Sequence, residues 1–222
     1  ILRRLDENLE IIIFEKGEYV SFANCGLPYH IGEVIENRES LLVQTPESLK
    51  ARFNLDVRVN SEVIEVNGED KKVKVKTKNG EEYEENFDFL VLSPGAKPLF
   101  PPIKGIESNK IFTLRNINDM DKIKAKIKNS NIKKATIVGG GYVGVETAEN
   151  LKHLGIDTTL IEAAPHILAP FDSEISNVLE FELVNNGLKL MTSEKVVEFQ
   201  EAENEIIIKL ESGKTVTTDI VI

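Results

Sequence analysis

The sequence predicts an α/β fold of two related three-layer (β/β/α) domains, each with an inserted β-meander. Three observations carry this. Ala135-Thr136-Ile137-Val138 reads as a short buried strand that runs into the glycine-rich Gly139-Gly140-Gly141-Tyr142-Val143-Gly144, then into helical apolar spacing over Val143–Leu154. A second strand, Thr158–Ile161, closes on an acid, Glu162, and the first half repeats that step at Ile11–Phe14 and Glu15. Both halves then continue through short alternating segments with glycine turns and finish on an apolar run, Asp88–Leu92 and Asp219–Ile222. The strand–turn–helix–strand–acid order is the Rossmann-like βαβ unit that binds dinucleotides.

Taken in order, Ile1–Leu5 reads as the tail of a helix and Ile11–Phe14 as a strand. Val57–Val59, Val63–Asn67 and Val73–Lys78 read as a meander with turns at Asn67-Gly68 and Asn79-Gly80, and Asp88–Leu92 as its apolar return strand. The Pro-rich stretch 94–102 marks the junction, which divides the chain into domains at 1–100 and 101–222. In the second half Gly155 caps the helix, Asp172 opens another over Glu174–Asn186, and Gly187 ends it. Leu188–Met191, Val196–Gln200 and Glu205–Glu211 read as the second meander, Ser212-Gly213 as a turn and Asp219–Ile222 as the last strand. Gly144 lies 18 residues before Glu162, and the same count back from Glu15 falls before Ile1. On this symmetry the first half is expected to lack its glycine-rich turn, and both ends of the chain look cut.

The 222 residues are 41% hydrophobic and 29% charged, with a formal charge of −10. The acidic balance argues against a nucleic-acid surface, and no apolar run approaches the ~20 residues of a membrane span. A cytoplasmic protein without nucleic-acid or membrane partners is expected. One cysteine excludes an internal disulfide scaffold. His30, His153 and His166 are not at ligand spacing, and no metal site is expected.

The chemistry concentrates at two places. Gly139, Gly141 and Gly144 have the G-x-G-x-x-G spacing: a tight turn, close backbone approach to a pyrophosphate, and close helix–strand packing. The helix behind offers unpaired N–H groups to phosphate, and Glu162 would take the adenosine ribose hydroxyls, which favours NADH over NADPH. Glu15 stands in the same place in the first half, so two nucleotide sites in series, a flavin and a nicotinamide, are expected. Cys25 follows Asn24 and precedes Gly26 and Pro28. Pro28 suits a first helical turn, the polar flanks argue against a core position, and a reactive thiol is expected rather than a buried hydrophobe.

Arg3-Arg4-Leu5, Ser21–Tyr29, Leu92–Ala96, Thr113–Arg115 and Gly139–Glu146 together resemble the FAD-dependent pyridine nucleotide-disulfide oxidoreductases. Ser-Phe-Ala-Asn-Cys-Gly-Leu-Pro-Tyr is most similar to their single-cysteine branch of coenzyme A-disulfide reductases, with NADH oxidases, peroxidases and persulfide reductases as neighbours. The resemblance implies that Cys25 forms a mixed disulfide with coenzyme A. It places Arg4, Ser21 and Asn24 on the coenzyme A and flavin side of that cysteine, Glu15 on the FAD ribose, and Ser93-Pro94-Gly95 along the FAD. Tyr142 and Glu146 fall near the flavin–nicotinamide contact with catalytic roles, Tyr142 as a gate, and Val143 falls among the cofactor-binding residues. It further implies a homodimer for the full-length protein, with a dimerisation domain and, in some members, a rhodanese domain beyond Ile222.

The expected activity is electron transfer from NADH or NADPH through FAD to a Cys25 mixed disulfide, reducing a small-molecule coenzyme A disulfide or persulfide. Two alternatives stand beside it: an NADH oxidase or peroxidase that uses a Cys25 sulfenic acid, and a nucleotide-binding fragment without turnover.

Overall fold

The computed structural model describes residues 1–222. Its first elements are α1 (Leu2–Leu5), β1 (Ile12–Phe14), β2 (Ser21–Phe22), α2 (Leu27–Ile31), β3 (Leu42–Gln44), α3 (Pro46–Phe53) and β4 (Asp56–Arg58). The hairpin strands β5 (Ser61–Asn67), β6 (Lys72–Thr77) and β7 (Glu82–Asn86) follow. Then come α4 (Ile117–Asn129), β8 (Lys134–Val138), α5 (Tyr142–His153), β9 (Asp157–Ile161), α6 (Ser173–Asn185) and β10 (Lys189–Met191). The chain ends with β11 (Val196–Glu201), β12 (Ile206–Leu210), β13 (Thr215–Thr218) and β14 (Ile220–Val221). By packing, 1–23 and 39–96 form one unit, and 24–38 and 97–222 form a second.

In the first unit β1 and β4 pair in parallel, with Ile13 opposite Val57. β5, β6 and β7 make the antiparallel meander, with Val73 and Val75 buried. Val57–Val59, read from sequence as a meander strand, therefore belongs to the parallel sheet, and the third meander strand is Glu82–Asn86. That segment, Glu-Tyr-Glu-Glu-Asn, carries almost no apolar signal. Its glutamates instead face the lysines of β6, Lys72 to Glu84 at 2.9 Å and Lys74 to Glu82 at 2.7 Å, and opposite charges across a ladder supply the pairing. α3 begins on Thr45, whose hydroxyl accepts from the Ser48 N–H while Ser48 Oγ accepts from the Thr45 N–H. It stops at Asn54 in the left-handed conformation.

A further correction concerns Asp88–Leu92, which forms no strand; Phe89, Val91 and Leu92 are exposed. Its counterpart in the second unit, β14, is held by β8. Within residues 1–222 no strand lies beside β1 in the place of β8, and the backbone of 88–92 joins no ladder there.

The second unit holds a four-stranded parallel sheet in the order β10-β9-β8-β14. α5 packs on β8 and β9, and α6 on β10. The other face is covered by the antiparallel sheet β11-β12-β13, and Ile161, Val196, Phe199, Ile206, Ile208, Leu210 and Val221 form the core between them. Three layers, β/β/α, result. As in the first unit, the segment expected to open the meander (Leu188–Met191) lies in the parallel sheet, and the third strand, Thr215–Thr218, is one that periodicity does not mark. α4 begins on Asn116, which caps the Asp119 N–H at 2.9 Å, and buries Ile117, Met120 and Ile123.

One side chain ties the first unit together. The Arg58 guanidinium on β4 donates to Asp56 at 2.7 Å and to Tyr83 at 3.3 Å, pairs with Glu85, and lies over the Phe14 ring at 5.5 Å. It thus links β1, β4 and β7. Arg58→Ala is expected to cost about 1–3 kcal/mol, because half-buried charged hydrogen bonds and ring contacts go together. A urea midpoint equal to that of the parent would refute this role.

Candidate functional site

The glycine-rich turn is built by a close approach. A Cβ on Gly144 would stand 2.0 Å from the Gly139 carbonyl oxygen, so only glycine lets the first turn of α5 lie against the end of β8. Gly139 itself has φ +114°, in the region that favours glycine. Gly141 is the N-cap of α5, and the first intrahelical bond runs from the Val145 N–H to the Gly141 carbonyl at 2.9 Å. The N–H groups of Tyr142, Val143 and Gly144 precede that bond and point out of the helix end, where an anion is favoured by hydrogen bonding and by the helix dipole.

Glu162, at the end of β9, faces this turn. One carboxylate oxygen accepts from the Gly140 N–H at 2.6 Å and the other from the Ala164 N–H at 2.6 Å. The Gly140 carbonyl in turn accepts from the Leu168 N–H at 2.7 Å, so both backbone groups of Gly140 are used and the loop after Glu162 is fastened over the turn. These ties leave Glu162 lone pairs for hydroxyl donors. Glu15 repeats the local pattern in the first unit, where its carboxylate accepts from the Gly17 N–H at 2.7 Å.

Cys25 is exposed and lies in a 3-10 turn, Asn24–Gly26, that leads into α2 with Pro28 in its first turn. The helix expected after Cys25 is there, but it has only five residues, so its dipole is small. The segment packs against α4 and α5. Gly32 sits on Asn150 so closely that a Cβ would fall 2.3 Å from the Asn150 Oδ1. Arg38 holds Asp121 of α4 through Nε at 3.0 Å and Nη2 at 2.8 Å, and Lys124 donates to the His30 carbonyl at 2.7 Å. Cys25 and Asn24 therefore share a unit with Tyr142, Glu146 and Glu162, whereas Arg4, Ser21, Glu15 and Ser93-Pro94-Gly95 belong to the other. There, Ser21 opens β2 and pairs with Gln44. Arg4 is on the short helix α1, and Ser93–Gly95 are in an exposed segment without regular structure, Gly95 at φ +69°.

Two acidic groups where α2 packs on α5 are electrostatically marked. Burial, and then the neighbouring Glu149, push the Glu146 carboxyl above its usual range. Glu146, followed by burial, Glu149 and the Cys25 thiolate, pushes the Tyr29 phenol up as well. Tyr29 thus keeps its proton through the neutral range and remains a hydroxyl donor four residues after Cys25. Sequence reasoning placed Tyr29 in the motif without assigning it a part. Its relation to Glu146 depends on the packing of α2 on α5, which no local pattern shows.

The profile of the pyridine nucleotide-disulphide oxidoreductases matches residues 2–222. The chain belongs to that family. It is 40% identical over 222 residues to a coenzyme A disulfide reductase of Staphylococcus aureus, covering 100% of the chain and 49% of the relative. Over 225 residues it is 33% identical to an NADH oxidase of Methanocaldococcus jannaschii, again covering 100% of the chain and 49% of the relative. Among solved structures, the reduced CoADR-RHD of Bacillus anthracis superposes with a TM-score of 0.95 at 46% identity, over 99% of this chain and 40% of that one. The α/β architecture expected from sequence is that of these relatives. The chain spans about half the length of the curated relatives it matches. No helix is long and apolar enough to cross a membrane.

The raised Glu146 carboxyl has a consequence for stability. A group that binds its proton more tightly in the folded state contributes stability at low pH that is lost as pH rises through its folded value. Glu146→Gln is therefore expected to melt higher than the parent at pH 7 to 8, the two curves converging below about pH 4. Equal melting temperatures at neutral pH would show that Glu146 ionises there at no cost.

Proposed function

We propose that this chain carries the nicotinamide-binding and thiol-bearing parts of a flavoprotein disulfide reductase that reduces coenzyme A disulfide or a persulfide with NADH. The observation that supports this most strongly is the presence, in one packed unit, of a complete dinucleotide turn and a single exposed cysteine. The relative from S. aureus, whose name is coenzyme A disulfide reductase, supports the choice of substrate.

The residues of the second unit fit a dinucleotide. The N–H groups of Tyr142–Gly144 would hold the pyrophosphate, and Glu162, already oriented by Gly140 and Ala164, would accept from the ribose hydroxyls. The only basic side chain in Ala163–Pro170 is His166, close to Glu180 at 3.5 Å, so that segment offers a 2′-phosphate no arginine or lysine. NADH is the coenzyme this arrangement favours over NADPH.

For FAD the fit is partial. Glu15 would supply the ribose acid and Ser93-Pro94-Gly95 a bordering loop, and a glycine-rich turn beside β1 falls outside residues 1–222. A bound flavin supplies the two-electron relay between nicotinamide and sulfur.

Cys25 acts on the disulfide directly. Its thiolate attacks one sulfur of coenzyme A disulfide, the S–S bond breaks, and one coenzyme A leaves as thiolate with the electron pair and takes up a proton. A Cys25–coenzyme A mixed disulfide remains, whose reduction by two electrons from NADH frees the second coenzyme A and restores Cys25. Arg4, Ser21 and Asn24 are assigned to the substrate and flavin side of the thiol, Tyr142 and Glu146 to the nicotinamide side. A cytoplasmic homodimer, with no membrane partner, completes the reading.

The relative from M. jannaschii, whose name is NADH oxidase, supports a second reading, in which Cys25 cycles through a sulfenic acid and the oxidant is oxygen or peroxide. Purified protein with FAD added, assayed for NADH oxidation, separates the two. Coenzyme A disulfide-dependent consumption of NADH, abolished by Cys25→Ser, is the expected result. Consumption that depends on oxygen or peroxide alone would favour the second reading, and NADH binding without turnover would leave a nucleotide-binding module. Coenzyme choice is tested separately: Glu162→Ala with Ala163→Arg should weaken NADH binding and improve NADPH binding, each by about tenfold or more. Unchanged dissociation constants would remove Glu162 from the ribose site.

A further inference from the structure

The two sheets of the second unit do not meet evenly. Paired residues in a parallel ladder carry their side chains on the same face of the sheet. Val221 of β14 belongs to the apolar core between the sheets, and its partner on β8 is Thr136. Thr136 pairs in turn with Thr159 of β9, and Thr159 with Lys189 of β10. These side chains therefore face the antiparallel sheet, as do Lys134 and Asp157, a register pair two residues earlier. The covered face is apolar toward Ile161 and polar at the other end, where it encloses a cavity of about 280 Å³ with β13, including Thr217, as the opposite wall. β8 runs from this cavity to the glycine-rich turn, so the two lie at opposite ends of the strand.

Three features of the cavity point to one class of ligand. Thr136 is 1% exposed, and its hydroxyl has no hydrogen-bond partner in the protein. Buried hydroxyls are nearly always paired, and the space here is roomy enough for several non-hydrogen atoms. Asp157 is already neutralised by Lys189 at 2.6 Å, which leaves Lys134 as the spare charge. Asp219, the other acid nearby, accepts from the backbone N–H groups of Lys133 and Lys134 at 2.7 and 2.8 Å. The cavity side chains thus sum to one positive charge on a chain whose net charge is −10. A local positive site with hydroxyl donors selects anions.

We propose that this cavity is a second ligand site, for a small oxyanion: a phosphate or carboxylate group held by the Lys134 ammonium and the hydroxyls of Thr136 and Thr159. The site is independent of the reading of Gly139–Gly144. The apolar core would be complete with Val at 136, and a hydroxyl there is useful only to a polar guest.

The test is an amide NMR titration of the isotope-labelled chain with sodium phosphate or sodium malonate, at an ionic strength held constant with sodium chloride. Saturable shifts at Thr136, Thr159 and Thr217 are expected with at least one of the two, and the tighter one identifies the anionic group. Lys134→Ala should raise the dissociation constant about tenfold or more, since a charge-assisted bond is lost. Thr136→Val keeps the shape, removes the hydroxyl, and should raise it roughly two- to tenfold. Lys134 is exposed, so its variant tests the site without touching the core; melting temperatures serve as the fold control for both. Absence of saturation with either anion would overturn the proposal and leave the cavity to water. So would shifts confined to Tyr142–Gly144, shifts that chloride reproduces, or an unchanged dissociation constant in either variant.

Discussion

The Gly139 carbonyl oxygen and the bare Cα of Gly144 lie against each other at the end of β8, and the direction of α5 is set there. With a side chain at position 144 the helix would have to stand off the strand, since the atom in its way belongs to the backbone rather than to a flexible side chain. Everything that α5 carries follows from its direction: Tyr142 at the turn, Glu146 one turn on, Asn150 one turn further. Through Asn150 the constraint reaches Gly32, and so the segment that bears Cys25. A close contact between two glycines thus aligns the nucleotide turn and the thiol within one unit.

The two units show one plan used twice. β1 and β4 correspond to β9 and β10, α3 to α6, and the meander β5–β7 to β11–β13. The strand-end acids even share a local bond, Glu15 to the N–H two residues on and Glu162 likewise. The units part at β8 and β14, which only the second possesses as a pair. A Rossmann-like half sheet is stabilised by neighbours on both sides of each inner strand, and within residues 1–222 the segment 88–92 has no such neighbour.

Most of this was legible in the sequence where a residue type is tied to a backbone need. The glycine turn, the strand-end acids and the caps at Gly155 and Gly187 all fall in that class. Glu82–Asn86 and Thr215–Thr218 were missed because their partners, not their own composition, make them strands. Lysines across β6 and the ladder of β12 are non-local information. The first strands assigned to each meander were misplaced for a related reason: an isolated apolar triplet does not say whether its neighbour runs parallel or antiparallel. The capping pairs Thr45/Ser48 and Asn116/Asp119 are local signals for the starts of α3 and α4. Cys25 could be singled out from its flanks, but the Arg38–Asp121 and Gly32–Asn150 contacts that place it with the second unit were beyond any local pattern.

That placement has a kinetic side. Residues 24–38 leave the first unit, pack into the second, and return at 39, so their partners Asp121, Lys124 and Asn150 lie some 83 to 118 residues further along the chain. Such contacts form only after the intervening chain has been ordered, because the entropy of closing a long loop must be met before the contact stabilises anything. The strap around α2 is therefore expected to close late in folding, after α4 and α5 have docked on their sheet. On that order the thiol joins a defined site only once the nucleotide-binding unit has assembled around it.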